Sequence, residues 1–198
     1  MQKRRRRPSA LPTRCGRCSD PRFCHDALPV SRWRNGGGET REIVSFPPGA
    51  ADFAWRASIA TLDASGPFSL FPGVDRVITL LQGDSPLLQS GGLTHRLQPC
   101  QPWRFAGEAP VQATVHGRCS DFNIMTRRDS WRAEVSILQQ APQQSRHGVA
   151  YVLAGAWQYA SGEVLHQTQG IWWLDEPLTL TPQSCDALLL WCRLSRVL

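Results

Sequence analysis

Four stretches of this sequence carry polar side chains at spacings that suit recognition of a small anion. In Asp121-Phe-Asn-Ile-Met125, Asp121 and Asn123 alternate with Phe122 and Ile124, and in Phe53-Ala-Trp-Arg-Ala-Ser-Ile-Ala60, Arg56 and Ser58 alternate with Trp55, Ala57 and Ile59. Residues two apart on an extended chain share a face, so each polar pair works side by side. Trp33-Arg-Asn-Gly-Gly-Gly-Glu-Thr-Arg41 adds Asn35 and Thr40 next to three glycines, whose amides can approach a ligand closely or form an anion-binding nest. Phe68-Ser-Leu-Phe-Pro-Gly-Val-Asp-Arg76 adds Ser69 and Arg76. An arginine fork donates two parallel hydrogen bonds to a carboxylate, while asparagine and serine can read an amide or formyl group. If the fold turns these faces inward to one cavity, Asn35, Thr40, Arg56, Ser58, Ser69, Arg76, Asp121 and Asn123 are candidates for binding a small polar or anionic ligand, above all a small carboxylate. The competing reading is structural: a buried arginine needs a carboxylate partner, so Arg56 and Arg76 would pair with Asp75 or Asp121.

Other reactive residue types give less. Cys15, Cys18, Cys24 and His25 have the composition of a Cys₃His zinc site, but the spacing to Cys24 is irregular and His25 adjoins it. His95, His116, His147 and His166 are isolated from one another and read as exposed or hydrogen-bonded surface. No metal and no cofactor is expected in the body of the chain. Cys100, Cys119, Cys185 and Cys192 are scattered among apolar or strand-like neighbours and read as reduced thiols, which suits a cytoplasmic location. Spacing builds no nucleophile–base pair.

The elements that must position these residues are strands. From Arg32 onward short period-2 runs are punctuated by Gly, Pro, Asp and Ser. Beside the two stretches already quoted, strands are expected around 43–46, 76–81, 87–89, 94–97, 111–115, 134–138, 149–153, 170–174 and 187–193. No segment keeps a helical period for three turns, so the fold class is all-β. An internal repeat organises the strands: Val77-Ile-Thr-Leu-Leu-Gln-Gly83 resembles Val149-Ala-Tyr-Val-Leu-Ala-Gly155, and Pro102-Trp-Arg-Phe105 resembles Ile171-Trp-Trp-Leu174. Two β-units follow, at 30–140 with the site and at 141–198 as a smaller buttress. Trp172 and Trp173 point to opposite faces of one strand, which predicts that at least one is exposed and marks a candidate homodimer interface.

Charge narrows the partners. The net charge of +6 resides entirely in residues 1–29, and the remainder is electroneutral. A neutral body lacks the phosphate-neutralising surface that nucleic-acid affinity needs, so no nucleic-acid partner is expected unless Arg4–Arg7 supply one. Residues 1–29 carry four prolines and no periodicity, and read as a disordered basic extension outside the fold. No apolar run approaches the roughly 20 residues of a membrane-spanning helix, so no membrane partner is expected.

The four blocks Trp33–Glu42, Phe53–Ala60, Gly66–Arg76 and Asp121–Arg127 occur in order and resemble the signature blocks of the HutD/Ves family, its Ves branch in particular. The resemblance implies a cupin-like double-stranded β-helix of two fused barrels, a bicupin. It also implies a link to histidine utilisation for one branch and to environmental stress for the other. Metal-binding cupins place His-x-His and then Glu ahead of a strand ending in glycine. Here Ser69, Phe71 and Asp75 stand in that frame, and neither Ser nor Phe replaces an imidazole. The expectation is a metal-free cupin-type binding protein, regulatory or tied to stress or metabolism, that recognises a small carboxylate such as a histidine-catabolism intermediate. The alternative is a metal-independent isomerase, epimerase or hydrolase using Asp75 or Asp121 as acid or base.

Overall fold

The computed structural model describes residues 21–50, 52–159 and 161–197. In chain order its strands are β1 Arg22–Cys24, β2 Val30–Arg32, β3 Gly38–Phe46, β4 Trp55–Leu62, β5 Gly66–Pro67, β6 Val74–Gly83, β7 Leu87–Ser90, β8 Leu93–Arg96 and β9 Trp103–Ala106. The series continues with β10 Gln112–Thr114, β11 Cys119–Arg127, β12 Trp131–Leu138, β13 Gly148–Ala154, β14 Ala156–Tyr159, β15 Val164–His166, β16 Gln169–Trp173, β17 Leu180–Pro182 and β18 Leu188–Arg196. One 3₁₀ turn, His25–Ala27, is the helical element among the described residues. Every expected strand forms, because branched and aromatic residues at period 2 suit a pleated sheet with covered faces.

The strands build two large sheets and two small ones. The first large sheet runs β2-β3-β4-β11-β6-β9 and faces the small sheet β5-β10-β7-β8. The second large sheet runs β1-β16-β13-β18-β12 and faces the small sheet β15-β14-β17. Three apolar clusters join four layers. Ala60, Leu62, Ile78 and Leu80 pack with Leu88, Val111 and Ala113 inside the first unit. Trp55, Ala57, Ile59, Phe122 and Ile124 pack with Trp131, Val149, Tyr151 and Leu190 between the two large sheets. Ala150, Val152, Trp173, Leu189 and Trp191 pack with Trp157, Leu165 and Leu180 inside the second unit. Both faces of each large sheet are therefore covered, one by its own small sheet and one by the other unit.

The internal repeat is a repeat of topology. β6 lies between β9 and β11 as β13 lies between β16 and β18, and the small sheets share the order β8-β7-β10 and β15-β14-β17. The glycines that close the two repeated stretches, Gly83 and Gly155, both have positive φ, at 89° and 66°. A Cβ at Gly83 would fall 2.2 Å from a backbone oxygen, so no other residue fits there.

Four expectations change. Each sheet stays open at its edges, and no closed barrel forms among the described residues; alternation identifies strands but not whether the outermost ones pair. Residues 21–29, assigned above to a disordered extension, include β1, which pairs with β16 through Arg22↔Ile171 and Cys24↔Gln169. Its three residues are too few for a periodicity signal, and Phe23, which stacks on Tyr151 at 6.1 Å, anchors it. β12 pairs with β18 along its length, so the second unit begins before residue 140. Trp172 and Trp173 both turn inward, onto Trp55 at 6.5 Å and Trp191 at 4.6 Å, because their sheet is covered on both sides. The exposed indole that pointed to a dimer is thus absent.

Candidate functional site

A cavity of about 540 Å³ opens over the inner face of the first large sheet. Alternation decides what lines it. On β4, Trp55, Ala57 and Ile59 go to the inter-sheet core while Arg56 and Ser58 face the cavity; on β11, Phe122 and Ile124 go to the core while Asp121 and Asn123 face the cavity. Arg76 of β6 joins them, and Asn35, Thr40 and Ser69 complete the wall from β3 and the two neighbouring loops. All eight residues singled out from sequence therefore meet at one cavity.

The β2–β3 loop is held by local chemistry. Asn35 Oδ1 accepts a hydrogen bond from the Gly37 amide at 3.0 Å, and the Trp33 indole N–H donates to Thr40 Oγ1 at 2.8 Å. Gly38 is obligatory: a Cβ there would sit 2.1 Å from the Thr61 carbonyl and 3.0 Å from the Trp33 ring. The loop also brings Arg32 and Arg34 to the rim. Sequence reasoning passed over these two, although their flanking of Trp33 was visible.

Register fixes the order of polar groups along the cavity. Met125 faces Arg56 on β4 and Arg76 on β6, Asn123 faces Ser58 and Ile78, and Asp121 faces Ala60 and Leu80. The arginines thus mark one end, Asn123 and Ser58 the middle, and Asp121 an end whose cross-strand neighbours are apolar. Cys119, the next residue on that face, is a buried thiol whose pKa burial pushes up to about 11, so it stays neutral.

Arg76 is 7% exposed. Its guanidinium lies 4.9, 5.2 and 5.6 Å from the ring centres of Phe105, Phe68 and Phe71. Its Nη1 donates a long 3.4 Å bond to the Ser69 carbonyl, and its buried Nε has no partner. Burial lowers its pKa to about 10, against the pull of Asp121. Arg56 Nε lies 2.8 Å from Glu42 Oε2, an ion pair by distance, without the alignment of a hydrogen bond. Asp121 is 4% exposed, and burial raises its pKa to about 7, only partly offset by Arg76. Asn123 Oδ1 is buried without a partner.

Asp75 does not join the site. It binds Arg128 Nε at 2.8 Å, and Arg128 also grips Glu108 at 2.9 and 3.0 Å. The structural alternative is therefore met only for Arg56, and with Glu42 rather than Asp75 or Asp121. A metal does not fit the cavity: four arginines, Arg32, Arg34, Arg56 and Arg76, line it with the single carboxylate of Asp121, and among the described residues no three His, Cys, Asp or Glu side chains converge. Of the N-terminal zinc candidates, Cys15 and Cys18 lie outside the described residues, and His25 pairs with Asp26 at 2.8 Å. No helix of the described residues is long and apolar enough to cross a membrane.

A polar cavity over the inner face of one of two stacked antiparallel sandwiches is the arrangement of a cupin-like protein. Within that class the chain belongs to the HutD family, whose profile it matches over residues 25–190. It is 49% identical over 158 residues to Protein Ves of Cronobacter sakazakii, covering 77% of this chain and 86% of that one. The HutD structure from Pseudomonas fluorescens SBW25 superposes with a TM-score of 0.78 at 25% identity, covering 89% of this chain and 98% of that one. The fold extends further, to Ylba from E. coli at a TM-score of 0.69 and 9% identity over 88% of this chain and 90% of that one.

Proposed function

We propose that this chain is a metal-free, cupin-type binding protein of two fused units, a bicupin in topology, whose first unit recognises a small carboxylate. The observation that carries this reading is Arg76: a buried guanidinium facing a cavity, with one donor unpartnered and no carboxylate within ion-pair reach. Leaving such donors unmade is costly, and a charge-assisted hydrogen bond to a ligand is worth about 1.5–3 kcal/mol. Asn123, also lacking a partner, is placed to read an amide or formyl oxygen or N–H. Membership of the HutD family supports a carboxylate from histidine catabolism. The role is then regulatory, in metabolism or stress, in the cytoplasm.

A thermal-shift screen of the full chain against formylglutamate, urocanate and formate tests the reading. A ligand at 100 times its Kd adds about 2.7 kcal/mol, roughly 5–10 °C for a chain of this size. That shift should vanish in Arg76→Met. No shift from any carboxylate would sink the proposal.

A second reading is favoured by one observation, the pKa of about 7 at Asp121, which suits a general acid or base. On this reading the chain is a metal-independent isomerase, epimerase or hydrolase. It requires turnover of a bound carboxylate that disappears in Asp121→Asn.

A further inference from the structure

The cavity carries charge of both signs, and the register offsets the backbone positions that bear them. Arg76 and Asp121 stand on adjacent strands, but Arg76 faces Met125 and Asp121 faces Leu80. Met125 and Asp121 are four residues apart on β11, roughly 13 Å of extended chain. The two side chains are each more than nine-tenths buried, and among the described residues neither is in an ion pair. Arg56 is matched by Glu42, and the other two arginines of the lining, Arg32 and Arg34, stand exposed at the rim. What remains among the buried side chains of the wall is one cation and one acid that attract each other without closing into an ion pair, with Asn123 and Ser58 lining the same space. A single-charged ligand would correct one end and leave the other.

We propose that the natural ligand is a small zwitterion, seated with its carboxylate on Arg76 and its ammonium on Asp121. This rests on the reading above that a carboxylate takes Arg76, and it narrows the ligand class within it. Ala60 and Leu80 offer the Asp121 carboxyl no polar partner, so a ligand N–H is what completes its hydrogen bonding. A dipole laid antiparallel to that of the cavity leaves no buried charge uncompensated, whereas a plain alkanoate leaves Asp121 against hydrocarbon. Asn123 and Ser58, between the two ends, accommodate polar atoms of the ligand's middle.

Titration calorimetry on the full chain at pH 8 provides the test, with three zwitterions of increasing length set against the alkanoates that carry methyl in place of ammonium. The pairs are glycine with propionate, 4-aminobutyrate with valerate, and 6-aminohexanoate with heptanoate. At least one zwitterion should bind ten or more times tighter than its partner. Asp121→Asn should erase that advantage while leaving the alkanoate affinity in place, and Arg76→Met should weaken both members. Alkanoates that bind the wild type as well as every zwitterion would overturn the proposal and leave the carboxylate reading standing. Binding by neither series would bring down the carboxylate reading and this one with it. The wild-type comparison decides the matter even where a variant does not fold.

Discussion

Asp121 shows how a residue chosen for a site weighs on the fold. Its carboxyl is held near a pKa of about 7 by burial, against about 3.9 in an unfolded chain. Between those values the unfolded state releases a proton that the folded state keeps, so stability from this group is full below about pH 4 and is lost as pH rises through about 7. Asp121→Asn removes the titration. Urea unfolding should therefore show the variant gaining on the wild type as pH rises from 4 to 8, by on the order of a few kcal/mol, with no further gain above pH 8. Arg76 poses the complementary case: replacing a buried unpaired charge with an apolar side chain of similar length is often neutral or stabilising. Arg76→Met, inert toward carboxylates, should melt no lower than the wild type when no ligand is present, the mark of a group kept for recognition.

At the scale of elements, two short segments matter more than their length suggests. Gly38 opens β3 where the Thr61 carbonyl and the Trp33 ring leave no room for a methyl group. Gly38→Ala should cost about 2–4 kcal/mol by chemical denaturation and weaken carboxylate binding, because Trp33 and Thr40 lose their register. β1 is the other segment. Its Phe23 ring rests on Gly170 and stacks on Tyr151, so Phe23→Ala should lower stability by about 1–3 kcal/mol although the residue lies far from the cavity. Unchanged melting would mean that β1 adds nothing to the second sheet. The contrast between β1 and β4 shows what was legible. β4 announces itself through Trp55, Ala57 and Ile59 against Arg56 and Ser58, whereas three residues hold no period, and β1 exists only because β16 offers an edge to pair with.

The whole molecule explains why the repeat does not repeat the polar cavity of the first unit. Matching β13 to β6 by the repeat sets Gly148 where Arg76 stands, and the pairings then set Trp191 opposite Ala150 as Asn123 stands opposite Ile78, Leu189 opposite Val152 as Asp121 stands opposite Leu80, and Trp173 opposite Gly148 as Phe105 stands opposite Arg76. Indoles fill the space that arginine, asparagine and aspartate keep open in the first unit. Trp191→Ala should cost about 3–5 kcal/mol, the range for emptying a large core position, yet leave the carboxylate-induced melting shift intact. Loss of that shift would show that the second unit does more than buttress the first.

The sequence by itself determined which residues share a face, that the chain is all-β, and that its net charge lies in the first 29 residues. Side-chain period and residue type settle these matters locally. Only the tertiary structure decided what covers each face, that Trp173 is buried and Trp172 half-buried against Trp55, that β1 and β12 belong to the second unit, that the sheets stay open, and that Asp75 is held by Arg128 outside the cavity. Those outcomes depend on pairing between strands distant in sequence, and a period of two says that residues stand together without saying what stands opposite them.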